Sequence, residues 1–241
     1  MQSFQTGTYD SGIFGISYNL MRKLLKALVV ISPWPIKRFL LVRFFGYEIH
    51  PKAHIGLAWV FPKHLKMAEG SRFYSLSTAI HLDYIELGQS SSIGRGCWIT
   101  GLASGDDMYF KHQPERKSEL IMADNSHFTK NHHIDCTNTI KIGRMVTIAG
   151  YNSQFLSHSI DVVKNIQDSA PIEIGDFAFV GTNVVVLSGS KLPAYSVLGA
   201  KSLLNKAFTE EYKLYGGVPA KPIADMPKDA KYFNRTDGFV Y

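Results

Sequence analysis

Nine histidines are spread along this 241-residue chain, and those whose surroundings suggest chemistry fall in two places. The segment HFTKNHHID carries His127, His132 and His133 together with Asn131 and Asp135. Further on, His158 opens the polar stretch HSIDVVKNIQDSAP. Imidazole titrates near neutral pH, so a histidine at the lip of a polar loop suits the removal of a proton from a hydroxyl, which is otherwise a poor nucleophile. In the first cluster His132 and His133 adjoin, so one of them at most points into a given site. That one, with Asn131 and Asp135, is a candidate contact to an acceptor molecule. The two cysteines, Cys97 and Cys136, are far apart and have neither metal-type spacing nor the local signature of a nucleophile.

The elements that must position these groups show in the apolar pattern. From Ile174 an apolar residue recurs at every sixth position: Ile174, Val180, Val186, Leu192, Leu198 and Leu204. A helix repeats near 3.6 and a half-buried strand at 2, so a period of six means short straight segments wound about one axis, each giving one side chain to an interior stack. Small or β-branched residues (Ala178, Val184, Ser190, Ser196, Ser202) follow four places on and suit tight corners. The register extends back through Ile49, Ile55, Phe61, Met67, Phe73, Ala79 and Ile85, moves by two to Leu87, Ile93 and Ile99, and resumes from Met122 to Ile140 and, after another shift of two, from Ile142 to Ile148. Each shift is expected to be a small bulge at the hand-over between turns. The pattern is the hexapeptide repeat of a parallel β-helix over 48–208. A polar insertion over 100–121 and a second break from His158 to Pro171 must loop out, and loops on a rigid scaffold are where binding groups collect.

On this scaffold His127 and His132 also admit a zinc reading. It needs a third ligand about two coils earlier, where Ser91 and Ser92 offer none. No metal is expected.

Residues 11–47 hold Arg22, Lys23, Lys26, Lys37, Arg38 and Arg43 and no acidic residue, which accounts for the whole net charge of +6. The remainder is balanced, which argues against a nucleic-acid partner. Leu20, Met21, Leu24, Leu25, Leu28 and Val29 have helical spacing until SPWP breaks the helix, and a second short helix is expected over Ile36 to Phe45. Interior charges and two prolines disfavour a transmembrane span. The amphipathic segment, 1–47, is expected either to cap the open end of the solenoid or to lie on a membrane through residues 18–45, and the two are compatible. No secretory signal is read at the start, so a cytoplasmic protein with reduced thiols, peripheral at most to the inner face of the plasma membrane, is the expectation.

Three stretches resemble the left-handed β-helix acyltransferases of the hexapeptide family, particularly the bacterial maltose, galactoside and surface-polysaccharide O-acetyltransferases. IKIGRMVTIAGYNSQFLSHSID is similar to the family's run into a catalytic histidine. PIEIGDFAFVGTNVVVLSGSKLPAYSVLGAKSLLNKAF is similar to the two coils along which coenzyme A lies. GGVPAKPI resembles the closing turn, within the tail 209–241. The chain departs from the family in having Phe179 where Trp is common, and Asn205, Lys206, Ala207 where Thr-Lys-Asp is common.

The resemblance implies an acetyl-CoA-dependent O-acetyltransferase acting on a sugar hydroxyl of a surface polysaccharide or its lipid-linked precursor. It implies direct transfer in a ternary complex with His158 as base, a homotrimer whose site lies between solenoids, and no metal. It assigns coenzyme contacts to Phe179, Gly181, Thr182, Gly199, Ala200, Lys206 and Lys221, with an oxyanion donor among the amides near Gly181 and Thr182. N-acylation of an amino sugar, or a metal-binding or scaffold solenoid without transferase activity, are the alternatives.

Overall fold

The six-residue register becomes a three-sided coil in which each turn of chain lays one short strand on each of three parallel sheets. The computed structural model describes residues 13–105, 108–238 and 240. Residues 1–12 of the expected helical segment, Asp106 and Asp107 of the insertion, and Phe239 and Tyr241 of the tail lie outside the described residues. The first face runs from Glu48–Ile49 to Lys191–Leu192, the second from His54–Ile55 through Val197–Leu198 to Lys213–Gly216, and the third from Trp59–Phe61 to Leu203–Leu204. The architecture is a left-handed parallel β-helix with N-terminal helices. Its stack does not stop at residue 208, since Lys213–Gly216 pairs in parallel with Val197–Leu198 and then antiparallel with Lys221–Asp225.

The register residues fill the axis: Ile174, Val180, Val186, Leu192, Leu198 and Leu204 are each at most 2% exposed. Small groups fill many of the corners, and Ser71, Ser91 and Ser126 are buried there, each hydroxyl donating to the carbonyl three residues back. This satisfies a polar group that burial would otherwise penalise. The shifts of two differ from the expectation of bulges. First-face strands such as Tyr84–Leu87 and Ile140–Ile142 carry two inward residues, Ile85 with Leu87 and Ile140 with Ile142, in unbroken parallel register. The additional residues sit at the corner before the strand, as His81 and buried Leu82 do.

Helices α1 (Ile13–Ile31) and α2 (Trp34–Phe45) close one end. The second starts two residues before the expected position because Pro35 fits a first helical turn, where its missing N–H costs nothing. It stops at Gly46, whose φ of 69° is the left-handed conformation glycine adopts freely. Val29, Leu41 and Tyr47 are buried against the first coil. Lys37 donates to Gly56 O at 2.7 Å, and Arg38 donates twice to Ile49 O at 3.1 and 2.7 Å. Capping is therefore both apolar and through hydrogen bonds to backbone carbonyls. None of the described helices is long and apolar enough to cross a membrane.

Candidate active site

Both long insertions leave the solenoid at the same corner, the passage from third to first face. The chain leaves after Trp98–Thr100 and returns at Glu119–Met122, and in a later turn leaves after Gln154–Leu156 and returns at Ile172–Ile174. Between them lies an uninserted turn whose third-face strand, His133–Asp135, runs directly into Thr137 and Asn138. Asp135 thus stands on a fixed corner with a loop above and a loop below.

The lower loop begins with a hairpin, His158–Asp161 against Ile166–Ser169, which places His158 over Asp135. His158 Nδ1 and Asp135 Oδ2 share a short hydrogen bond, and the His158 backbone N–H donates to the same oxygen at 3.3 Å. The other carboxylate oxygen accepts from Thr137 N–H at 3.1 Å and Thr137 Oγ1 at 2.6 Å. Asp135 is buried and its oxygens are held by four donors in all. Its carboxylate fixes which imidazole nitrogen carries the proton, so Nε2 is the nitrogen that remains to exchange one with a bound molecule. The His158 side chain is 30% exposed, enough to be reached.

The upper loop supplies the opposite wall. Phe110, buried, meets the His158 ring edge to face at 6.3 Å. Arg116 lies over Phe110 at 4.2 Å and donates to Leu102 O at 2.6 Å, Ala103 O at 2.8 Å and Thr137 O. One buried guanidinium therefore ties the insertion to the corner that holds Asp135. Gln113 closes the ring: its amide donates to Asp168 Oδ1 at 2.9 Å and Ser169 O at 2.8 Å, and accepts from Ser169 Oγ at 2.6 Å. His112 lies 3.5 Å from Asp168 at the rim. Sequence reasoning missed Phe110, His112, Gln113, Arg116 and Thr137, which carry no periodic signal.

The expected acceptor contacts separate. Asp135 points to His158 and does not stand free for a substrate. His133 shares the outer side of that strand, exposed, with its Cα about 7 Å from that of Asp135. His132 is fully buried, accepting from Ser153 N–H at 3.2 Å through Nδ1 and meeting Thr129 Oγ1 at 3.0 Å through Nε2. Burial, with a lesser contribution from His133, pushes its pKa down to about 4. It is a corner group in the core and not an acceptor contact. Asn131 is an exposed corner residue with φ of 54°, a conformation asparagine tolerates, at the far edge of the third face from His158. His127 lies on the second face with Nδ1 on Ser92 Oγ at 2.9 Å, so it and His132 do not converge. Among the described residues no group of three or more His, Cys, Asp or Glu is arranged to hold a metal. Burial raises the pKa of Cys97 to about 11 and that of Cys136 well above the usual thiol range, which leaves neither as a ready thiolate.

The expected coenzyme contacts fall mainly at the other corner of the coil. Gly181, Thr182, Gly199 and Ala200 lie between second and third faces, Phe179 lies on the second face, and exposed Lys221 follows the turn that packs beside Gly199. Phe179 is met edge to face by Tyr232 of the C-terminal segment at 5.7 Å. The Gly181 N–H is taken by Leu198 O at 2.8 Å, which removes it as an oxyanion donor. Thr182 N–H has no acceptor among the described residues, and its hydroxyl links to Tyr151 of the preceding turn. A Cβ on Gly181 would lie 2.6 Å from Ala200 N, so that glycine is required by coil stacking. Gly199 differs, with nothing nearer than 3.5 Å. Lys206 sits at the His158 corner further along the stack, its ammonium 5.1 Å over Phe208. The width of the third face therefore separates His158 from most of the expected coenzyme contacts within one chain.

No protein-family model matches the chain, and no curated protein matches it. Its fold is shared with AntD, an N-acyltransferase from Bacillus cereus solved in complex with dTDP and 3-hydroxybutyryl-CoA, at 10% identity over 83% of this chain and 91% of that one, TM-score 0.50. Similar at lower scores are a hexapeptide-repeat-containing acetyltransferase from Vibrio cholerae complexed with acetyl coenzyme A (18% identity, 90% and 92% covered, TM-score 0.45) and the polySia-specific acetyltransferase NeuO (16%, 74% and 80%, TM-score 0.48). At these identities the likeness speaks to the fold alone.

Proposed function

We propose that this protein is an acyltransferase that moves an acetyl group from acetyl-CoA to a sugar hydroxyl of a surface polysaccharide or its lipid-linked precursor. The observation that carries the reading is the His158–Asp135 pair: an imidazole fixed at Nδ1 by a buried carboxylate, backed by Phe110, with Nε2 left for proton exchange at the mouth of two loops. The donor supplies an activated acyl carbon as a thioester. His158 Nε2 takes the acceptor's hydroxyl proton as its oxygen attacks, Asp135 stabilises the imidazolium that results, and Nε2 returns the proton to the departing sulfur. No acyl-enzyme is needed, in keeping with two cysteines held as thiols by burial.

The corner with Gly199, Thr182 and Lys221 fits a donor: Gly199 leaves room beside the backbone, Thr182 offers an amide, and Lys221 is a cation for phosphate. Because it lies across the third face from His158, a complete site calls for the base of one subunit beside the donor corner of another. This favours a homotrimer. Asp135 takes the positioning role, which leaves His133 and the rim residue His112 as the acceptor contacts. The fold neighbour AntD is named an N-acyltransferase, so amino sugars belong beside neutral sugars in the acceptor panel. The test is coenzyme A release with that panel, for the wild type and for His158→Ala. Release that requires both an acceptor and His158 supports the reading, and release that survives His158→Ala contradicts it.

A further inference from the structure

The helical cap hides the end of the solenoid with only part of its surface. Val29, Lys37 and Leu41 face the coil, while Leu20, Leu24, Leu28, Ile36, Phe39 and Phe44 point outward, each more than half exposed. A cap needs a polar outer face to stay in solution, and an apolar patch of this extent marks a surface with a partner. Over Ile13–Phe45 there is no acidic side chain. Lys37 and Arg38 are turned to backbone carbonyls of the first coil, and exposed Lys23 and Arg43 give the outer face positive charge.

Where the helices meet the solenoid there is a cavity of about 480 Å³ lined by Arg22, Lys26, Phe61, Lys63, His81 and Asp83, among others. Lys26 Nζ stands 4.9 Å over Phe61. Burial, and then the charge of Arg22, lower the Lys26 pKa, so these cations crowd one another. The acidic member, Asp83, turns its carboxylate to Ser104, whose N–H donates at 2.7 Å and whose hydroxyl donates as well. A site that gathers cations against aromatic walls and directs its carboxylate elsewhere fits an anion.

The cavity lies on the same corner as the candidate active site. Its wall includes Ala103, whose carbonyl accepts from Arg116, and Arg116 also binds Thr137 O beside Asp135.

We propose that α1 and α2 seat the protein on an anionic lipid bilayer, with the exposed apolar side chains in the acyl boundary and the basic cavity at their base holding the phosphate of a lipid headgroup. Apolar area and positive charge on one face is the combination that binds such a surface. The seating is independent of the chemistry at His158. That an acceptor carrying a lipid phosphate reaches His158 along this corner rests on the acyltransferase reading.

Co-flotation of the full chain with phosphatidylcholine vesicles, with and without phosphatidylglycerol, tests it. Binding at least tenfold tighter with the anionic lipid is expected, weakened by salt. Arg22→Gln, Lys26→Gln and Lys63→Gln combined should lower it by roughly tenfold to a hundredfold. Phe39→Ser with Phe44→Ser should abolish it while circular dichroism stays that of the folded coil. Equal binding to neutral vesicles, no binding, or full binding by the charge variant would overturn the proposal. So would self-association that the Phe39→Ser, Phe44→Ser variant dissolves without any vesicle binding in the wild type, since a second copy would then be the occupant. Coenzyme A release with a water-soluble sugar is read in parallel: its loss in the wild type contradicts the acyltransferase reading and leaves the lipid seat standing, whereas lost flotation with release intact contradicts the seat alone.

Discussion

Asp135 and His158 are 23 residues apart in sequence and share a short hydrogen bond through Oδ2 and Nδ1. Stacking of successive turns at one corner brings them together, and the other carboxylate oxygen is held by Thr137. If this bond sets the imidazole's orientation and proton, Asp135→Asn should lower kcat by about a hundredfold or more while the KM for the acyl donor stays within a few-fold. Steady-state kinetics separate these. An equal rise in donor KM would mean that the change had disturbed the coil and not the base.

Arg116 joins the insertion to the corner through Leu102 O, Ala103 O and Thr137 O. Arg116→Met keeps the aliphatic bulk over Phe110 but strands the buried Thr137 carbonyl and removes the donor from the part-buried carbonyls of Leu102 and Ala103. A loss of about 2–4 kcal/mol in stability is expected, with faster proteolysis inside 101–118. Chemical denaturation and limited digestion check it, and a cleavage pattern like that of the wild type would count against the loop being tied this way.

The two glycines of the donor corner should behave differently. Gly181→Ala places a methyl 2.6 Å from Ala200 N and is expected to cost about 1–3 kcal/mol. Gly199→Ala meets nothing within 3.4 Å and should leave stability nearly unchanged, while raising the donor KM if the acyl donor runs beside it. Thermal denaturation and donor titration of both variants decide, and a wild-type KM for Gly199→Ala would remove that residue from the donor groove.

The first two of these residues also show what was legible. A period of six writes itself locally, because each inward side chain answers to its own strand, so the coil, its small corner residues and its two insertions could all be read from Ile49 to Leu204. Asp135 and His158 were legible as reactive residues but not as a pair, since their contact depends on which turn carries an insertion. Arg116 and Phe110 lie in a segment without periodicity, and only the closed loop shows that Phe110 meets His158 while Arg116 packs on Phe110 and ties the loop down. Adjacency of His132 and His133 says that one of them at most enters a given site, but not which one. The backbone turns the His132 ring into the corner, where Ser153 and Thr129 satisfy both nitrogens.

That burial has a pH consequence. His132 has a pKa near 4 in the folded protein against an ordinary 6.5. Below 6.5 the unfolded chain binds a proton that the folded chain refuses, so the stability tied to neutral His132 is complete above 6.5 and is lost as pH falls toward 4. The full loss is roughly 3 kcal/mol. His132→Gln should be less stable than the wild type at pH 7 and should lose less between pH 6.5 and 4. Urea denaturation across that range measures it, and parallel slopes for the two proteins would contradict the buried neutral imidazole.

The most direct test of the acyltransferase account is acetyl-CoA binding by calorimetry for the wild type and His158→Ala, with coenzyme A release measured on the same preparations. The account predicts donor affinities within a few-fold of each other and release reduced at least a hundredfold in the variant. Absence of acetyl-CoA binding in the wild type, or release unaffected by His158→Ala, would contradict it.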